Sequence, residues 1–294
     1  MKHIGIASII FQVIKTYLQY RYQRVVLNNN YYISISDWGE VTHGVRQGSI
    51  LGLLLFLLYI NDLPHSINKN NKIVIFAYDT SLIISNPDPV NFRDDANKIL
   101  QHVQEWFDAN LISLNWEKTH FMDFTTKNNS FSTFDIIYKD KKLTTVDSIK
   151  FLDLILDNLL SWKKHIVGIV PKLSAATFAM RVVQPFLSLY SLKLIYYLYF
   201  HSVLNYGIIF WGNTPHSNII FRIKKKIVRM MVEVRNRDSC RECFKRLKIL
   251  PLQSQYLSLL LFVAENIDYF RLNSEIHDIL LTVHLSIIYS LFPT

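Results

Sequence analysis

Cysteine, glycine and proline are all scarce in this sequence of 294 residues, with two, eight and eight copies. The two cysteines, Cys240 and Cys243, form one C-x-x-C, and no second pair is present to complete a four-ligand zinc site. A zinc finger is therefore excluded, and two ordinary thiols in a reducing compartment are expected. The sequence also has no Gly/Ser linker, no low-complexity tract and no internal repeat, which excludes a chain of tethered modules.

A long uncharged run is missing as well, although half the residues are hydrophobic and the mean hydropathy is +0.15. Three apolar runs come closest: residues 50–60, 192–211 and 279–292 are too short or are interrupted by polar side chains. A membrane span needs about 20 apolar residues. Buried core helices are therefore expected, with no membrane partner, no signal peptide and an intracellular location in the cytoplasm or nucleus.

The net charge of +9 is concentrated in one segment, residues 221–248. That segment holds eleven basic residues against three acids, almost the whole excess. Such a basic stripe on a helix suits the phosphate backbone of a nucleic acid, and it equally suits a solvated helix face. The charge pattern alone leaves both interpretations open.

Apolar periodicity predicts helices over residues 4–22 and 91–110, and a third that Ser49 caps. Strands are predicted at residues 23–27, 31–36, 72–76, 80–85, 121–124, 134–138 and 149–156. From Trp162 onward every pattern is helical. The expected fold class is α+β, with residues 1–160 mixed, residues 161–294 all helical, and a shared core because no linker separates them.

The most specific motif starts at Gly44 with GVRQGSILG and ends at residues 59–64 with YINDLP. It resembles the GVPQGS-x-LGP-LLF-x-x-YINDLP motif of reverse transcriptases from jockey-like non-LTR retrotransposons. Residues 76–82, FAYDTSL, are similar to the FADDTSL turn of that family. Further matches follow in the family's order over nearly the whole chain, among them WFDANL at residues 106–111, KT at 118–119, LD at 156–157 and LSWKKHI at 160–166.

The resemblance implies part of a right-hand polymerase palm in residues 1–160 and a helical thumb with a basic C-terminal region in residues 161–294. The implied reaction is template-directed nucleotidyl transfer by two Mg²⁺ ions about 4 Å apart, which hard carboxylate oxygens hold. The implied partners are an RNA template with a DNA primer, or an RNA/DNA hybrid, and deoxynucleoside triphosphates.

The resemblance also assigns roles to individual residues. Gln47 and Gly48 would lie against the incoming nucleotide and the template, and Asp79 would be the catalytic acid near the metals. Lys118 would assist the departure of pyrophosphate, or be a solvated lysine after a helix. Five basic residues of the 221–248 segment would contact the nucleic acid: Arg222, Lys224, Lys225, Lys226 and Arg229.

Several positions depart from the family pattern. Tyr78 stands where the family has its first, metal-binding aspartate, and a phenol is a poor magnesium ligand at neutral pH. The first acid of any kind is Asp37, seven residues before Gly44 and too close to be the family's upstream aspartate. The chain is therefore expected to begin past that strand. Asp153 replaces a glycine and is expected to carry backbone strain if that glycine has a positive φ.

These departures predict a truncated, degenerate reverse transcriptase that is inactive in this copy and does not bind Mg²⁺ competently. The alternative function is a non-catalytic protein that binds nucleic acid through the basic segment. A membrane-associated helical protein is a third hypothesis.

Overall fold

The computed structural model describes residues 9–29, 31–42, 44–45, 48–63, 72–76, 79–85, 89–124, 136–138, 141–235, 238–266 and 284–292. Its helices are α1 (Ile9–Leu18), α2 (Ile50–Ile60), α3 (Pro89–Ala109), α4 (Lys163–Val183), α5 (Leu189–Ile195), α6 (Ser202–Asn205), α7 (Ile208–Trp211), α8 (Ser217–Met231), α9 (Arg241–Leu247) and α10 (Leu252–Glu265). A 3₁₀ turn (Gln184–Phe186) follows α4 and a π-helical turn (Tyr196–His201) follows α5.

The strands are short and lie mostly in the first half of the chain. They are β1 (Tyr22–Gln23), β2 (Val26–Asn29), β3 (Tyr32–Ile35), β4 (Gly39–Glu40), β5 (Lys72–Phe76), β6 (Asp79–Ser85), β7 (Ser113–Leu114), β8 (His120–Asp123), β9 (Ile137–Tyr138), β10 (Lys141–Lys142), β11 (Thr144–Thr145), β12 (Ser148–Phe151), β13 (Leu154–Asp157) and β14 (His284–Phe292).

The two hairpins predicted before residue 86 are present. β2 pairs antiparallel with β3, with Val26 opposite Ile35, and β5 pairs with β6, with Phe76 opposite Asp79. These registers leave only residues 30–31 and 77–78 to connect the paired strands. Every residue of β2 and β3 is exposed, so that hairpin stands away from the core.

Ser49 starts α2, as the sequence predicts. Its backbone is extended and its Oγ accepts the N–H of Gly52 at 2.9 Å, which satisfies one of the free donors of the first turn. The hydroxyl of Tyr17 also hydrogen-bonds Ser49 Oγ at 2.7 Å and so ties α1 to this helix start. Phe56 and Ile60 then bury the inner face of α2.

The main sheet has the order β11-β8-β14-β6-β5, with β7 paired to the end of β14. α3 packs on it through Phe92, Leu100 and Phe107, which are buried in the first hydrophobic cluster. β14 corrects the prediction that everything after Trp162 is helical. Its backbone hydrogen-bonds antiparallel strands on both sides, β6 and β8, and this tertiary pairing overrides the local pattern.

A second hydrophobic cluster lies within residues 166–252 and is built from helices. Tyr196, Phe200 and Trp211 are completely buried in it, together with the inner faces of α4 and α8. The two clusters fall on either side of residue 160. The division of the chain into two domains at that point stays a prediction.

Among the described helices, the continuous stretch Lys163–Phe186 is long and apolar enough to cross a membrane by length and composition alone. The helices Arg241–Leu247 and Leu252–Glu265 pass the same test together, bent by 51°. Core helices of soluble proteins also pass it, and Ile166, Leu173 and Met180 of the first stretch pack into the second cluster. None of the three apolar runs in the sequence, residues 50–60, 192–211 and 279–292, overlaps the helical stretch Lys163–Phe186.

Candidate active-site cleft and nucleic-acid interface

Two of the predicted catalytic residues, Asp79 and Lys118, line one cleft of about 400 Å³. Asp79 is the exposed first residue of β6 and pairs with Phe76 at the end of β5. Lys118 lies just before β8, in a turn where its backbone N–H donates to the carbonyl oxygen and to Oδ1 of Asn115, each at 3.2 Å. The structure therefore brings together two residues that are far apart in the sequence.

Three further ionisable groups line this cleft and were not identified from the sequence: Lys150, Glu117 and His120. Glu117 and His120 flank the Lys118-Thr119 motif, and their proximity to it was the signal that could have found them. His120 Nδ1 is buried and has no hydrogen-bond partner in the described part of the chain. The cleft thus combines two carboxylates, two amines and an imidazole.

The described residues of the cleft do not fit a two-metal centre. Two divalent ions in near-octahedral geometry need several converging oxygen ligands. Asp79 and Glu117 are the only carboxylates among the lining residues, and no group of three or more His, Cys, Asp or Glu side chains in the described ranges could hold a metal. Tyr78, Arg46 and Gln47 lie outside the described residues.

Gly48 precedes the cap of α2 and has φ +76°. A side chain at this position would meet no other atom within 4 Å, so backbone conformation, not crowding, is what requires glycine here. The predicted contact between Gly48 and a nucleotide stays a prediction.

The LD and LSWKKHI motifs form a structural joint between β13 and α4. Asp157 is buried, and its Oδ1 and Oδ2 accept the N–H groups of Ser161 and Trp162, both at 2.8 Å. Trp162 has φ +62° and ends the turn immediately before α4. These two hydrogen bonds fix the direction in which the helical half leaves the sheet half.

His165 completes this joint from inside α4. Its Nδ1 accepts the N–H of Ile155 at 3.2 Å, so this nitrogen carries no proton. Burial, aided by the positive charge of Lys172, lowers the pKa of His165, which favours the same neutral imidazole. The Tyr206 hydroxyl donates to the carbonyl of Leu152 in the adjacent turn.

Asp153 in that turn has φ +64°, which confirms that a residue replacing glycine here adopts a left-handed backbone. Its carboxylate pairs with Lys150 at 2.5 Å on the open surface. Hydrogen bonding from Lys150 lowers the pKa of Asp153. Aspartate tolerates this backbone region better than most residues, so the strain is moderate.

The five basic residues predicted to contact nucleic acid do not share one face of α8. Arg222 and Lys226 are exposed one turn apart. Lys225 is half-buried, with Nζ 4.6 Å from the centre of the Phe221 ring. Arg229 donates through Nε and Nη2 to the carbonyl of Asp238 at 3.1 and 2.9 Å.

Lys224 is a correction to the predicted interface. Its side chain is completely buried, and Nζ donates to Gln255 Oε1 at 2.6 Å. Gln255 Nε2 in turn donates to Asn205 Oδ1 at 2.7 Å. Burial lowers the pKa of Lys224 to about 7. Lys224 therefore cannot reach a phosphate backbone, whereas Arg222 and Lys226 can.

Cys240 and Cys243 are both free and buried at the start of α9, as expected of ordinary thiols. Burial raises the pKa of Cys240, which makes its thiol less reactive.

Sequence comparison identifies the class of this protein. The family described as "Reverse transcriptase (RNA-dependent DNA polymerase)" matches residues 3–156. The chain belongs to the reverse transcriptase family, and the family's palm fold agrees with the α+β arrangement described above. Reverse transcriptases generally use Mg²⁺, a requirement that the described residues of the cleft do not meet.

Two relatives place the chain among the reverse transcriptases of non-LTR retrotransposons, as its motifs predict. It is 26% identical over 229 residues to a "Probable RNA-directed DNA polymerase from transposon X-element" of Drosophila melanogaster, covering 75% of this chain and 25% of the relative. It is 27% identical over 221 residues to the corresponding protein from transposon BS, covering 71% and 24%. The chain thus spans about a quarter of the length of these relatives. No solved structure matches it.

Proposed function

We propose that this chain derives from the RNA-directed DNA polymerase of a non-LTR retrotransposon and that by itself it binds an RNA/DNA hybrid without extending the primer. The observation that carries the proposal is the cleft, which Asp79 and Lys118 both line but which has only two carboxylates among its lining residues. A lysine suits the triphosphate end of a nucleotide, whereas the shortage of carboxylates opposes two-metal chemistry.

Primer extension tests the catalytic half of this proposal. With an oligo(dT) primer on poly(rA), thymidine triphosphate and Mg²⁺, we expect no extension by the wild-type chain. We also expect none by Tyr78→Asp, because one added carboxylate beside Asp79 still leaves two metals with few ligands. The reaction is followed on a denaturing gel, with an active reverse transcriptase on the same template as the control. Mg²⁺-dependent extension by either form would contradict the proposal.

The binding half of the proposal, non-catalytic binding of a hybrid, is supported by the exposed pair Arg222 and Lys226. Each would contact a backbone phosphate and release a counterion, so binding should weaken with salt and depend little on sequence. Lys225 lies beside this pair over the Phe221 ring and would extend the same basic face.

Replacing Arg222 and Lys226 together by glutamine should lower hybrid affinity and reduce the slope of log K against log salt by about two, one for each lost phosphate contact. Fluorescence anisotropy of a labelled hybrid at several salt concentrations measures both quantities. The double variant Lys15→Gln/Lys98→Gln removes the same charge from exposed positions on α1 and α3 and serves as the control. Equal slopes for the two double variants would mean that net charge, not the α8 face, governs binding.

A further inference from the structure

The corner where α4 turns into α5 exposes large aromatic side chains. Phe178, Phe186 and Tyr190 are 69%, 84% and 79% exposed, and Val182, one turn after Phe178, is exposed as well. Exposed apolar side chains grouped in this way mark interaction sites more often than scattered ones do. The helical geometry explains the grouping, since Phe178 and Val182 lie four residues apart on α4 and Tyr190 is the second residue of α5, just after the turn.

This corner belongs to a stretch of sequence without acids. Between Asp157 and Glu233 there is no aspartate or glutamate, whereas residues 158–232 contain ten lysines and arginines. Two of these are interleaved with the aromatics: Arg181 lies three residues after Phe178, and Lys193 three residues after Tyr190. Residues three apart on a helix are neighbours, so cation and ring share one face.

One carboxylate approaches the corner from the turn that follows α8. Glu233 Oε1 accepts from Gln184 Nε2 at 2.7 Å, in the 3₁₀ turn between α4 and α5. The hydrogen-bond partner of the Glu233 carboxylate is a neutral amide. The two positive charges of Arg181 and Lys193 outnumber its single negative charge. The field at the corner therefore favours an anionic partner.

Rings and cations interleaved on one surface suit single-stranded nucleic acid. Unpaired bases stack on aromatic faces while lysine and arginine contact the phosphates. A duplex hides its base faces in the stack and would leave the rings unused. Lipid is a poorer fit, because the polar side chains of Gln184 and Ser188 lie on either side of Phe186 in the turn and would have to be immersed with it.

We propose that the corner surface, formed by Phe178, Arg181, Val182, Phe186, Tyr190 and Lys193, binds single-stranded nucleic acid by stacking unpaired bases on Phe186 and Tyr190. This inference rests on the proposed function in one respect only, namely that the partner is a nucleic acid. The unpaired strand is assigned to the corner surface, and the hybrid to the exposed face of α8.

The test compares a labelled 12-nucleotide oligo(rU) with a 12-base-pair RNA/DNA hybrid, using the full chain and fluorescence anisotropy. Phe186→Ala/Tyr190→Ala should lower the affinity for oligo(rU) by about 25-fold or more, because each of the two stacked bases contributes about 5-fold at least. The affinity for the hybrid should stay within about 2-fold. Phe186→Tyr/Tyr190→Phe keeps both rings and should bind oligo(rU) like the wild type. Tyr20→Ala/Tyr31→Ala removes two other highly exposed rings and is the matched control.

Each contrary result has a defined meaning. If the alanine double variant binds oligo(rU) like the wild type, or loses both probes equally, the corner surface is not a stacking site. If Arg222→Gln/Lys226→Gln still weakens hybrid binding in that case, the proposed function survives. If the wild type binds neither probe, both proposals fail. Sedimentation with phosphatidylcholine/phosphatidylserine vesicles covers the lipid alternative, and vesicle binding that requires Phe186 and Tyr190 would replace the nucleic-acid interpretation.

Discussion

Asp157→Ala should lower the free energy of unfolding by about 3 kcal/mol, because it removes two charge-assisted hydrogen bonds from a buried position. The N–H groups of Ser161 and Trp162 lose their acceptor just where Trp162 holds a left-handed backbone. The hydrogen bond from the Ile155 N–H to His165 Nδ1 remains, so the direction of α4 is then held less firmly but is not lost. Chemical unfolding followed by tryptophan fluorescence measures the loss.

Two further substitutions separate the hydrogen bonds of Asp157 from its charge. Asp157→Asn keeps one acceptor oxygen and should fall between the wild type and alanine. Asp147→Ala removes an exposed carboxylate that pairs with Lys164 at 2.6 Å, and it should change stability little because solvent screens that pair. Similar small losses for Asp157→Ala and Asp147→Ala would show that the joint does not depend on Asp157.

The sequence predicted the local elements of the fold well where short-range physics decides them. Ser49 caps α2, and β5 and β6 pair in a register that brings Asp79 opposite Phe76. Both outcomes depend on neighbouring residues only. β14 was predicted wrongly because its strand state depends on pairing with β6 and β8, which precede it by more than 150 residues. No local pattern carries that information.

The candidate site was predictable in part for a similar reason. Asp79 and Lys118 were identified from motifs, and the fold then placed them in one cleft. Asp157 and His165 were recognised only as parts of family motifs. Their role as a joint depends on which backbone N–H groups they meet, and this is determined by three-dimensional placement.

The burial of Lys224 was indicated by the apolar spacing of α8, but the positive charge of the surrounding residues suggested that this lysine is exposed. Ile220, Ile227, Val228 and Met231 of α8 are buried, and Lys224 lies four residues from both Ile220 and Val228, on the same face. The density of positive charge in residues 221–248 suggested an exposed basic stripe, either on a nucleic acid or in solvent. Its partner Gln255, on α10, could not be inferred from the spacing within α8.

A buried lysine without a carboxylate partner should make stability depend on pH. The pKa of Lys224 is about 7 in the folded chain and near 10.4 in an unfolded one. At a pH between these two pKa values the unfolded chain binds more protons than the folded chain does, so stability rises with pH. The stabilising contribution of the neutral Lys224 amine is therefore complete above the pKa of the unfolded chain and is lost as the pH falls to about 7. From pH 7.0 to 9.5 this contribution should rise by about 3 kcal/mol.

Lys224→Met isolates this contribution, because the thioether has a similar shape and no charge. We expect the variant to approach the wild type in stability at pH 7, where the wild type bears the cost of a buried ammonium and the variant leaves Gln255 Oε1 without its donor. The stability deficit of the variant relative to the wild type should be about 3 kcal/mol larger at pH 9.5 than at pH 7. Urea unfolding of both forms by circular dichroism across this range gives the difference, in which other titrating groups cancel.

Lys226→Met on the exposed face of the same helix is the control and should keep the pH dependence of the wild type. Removing Lys224 should also raise the pKa of His201, which burial lowers first and the nearby Lys224 charge lowers further. Parallel pH profiles for the wild type and Lys224→Met would place the ammonium in water rather than in the core. Since Lys224 lies in the core, Lys224→Met should keep the hybrid affinity and the salt slope of the wild type, whereas Lys226→Met should reduce both.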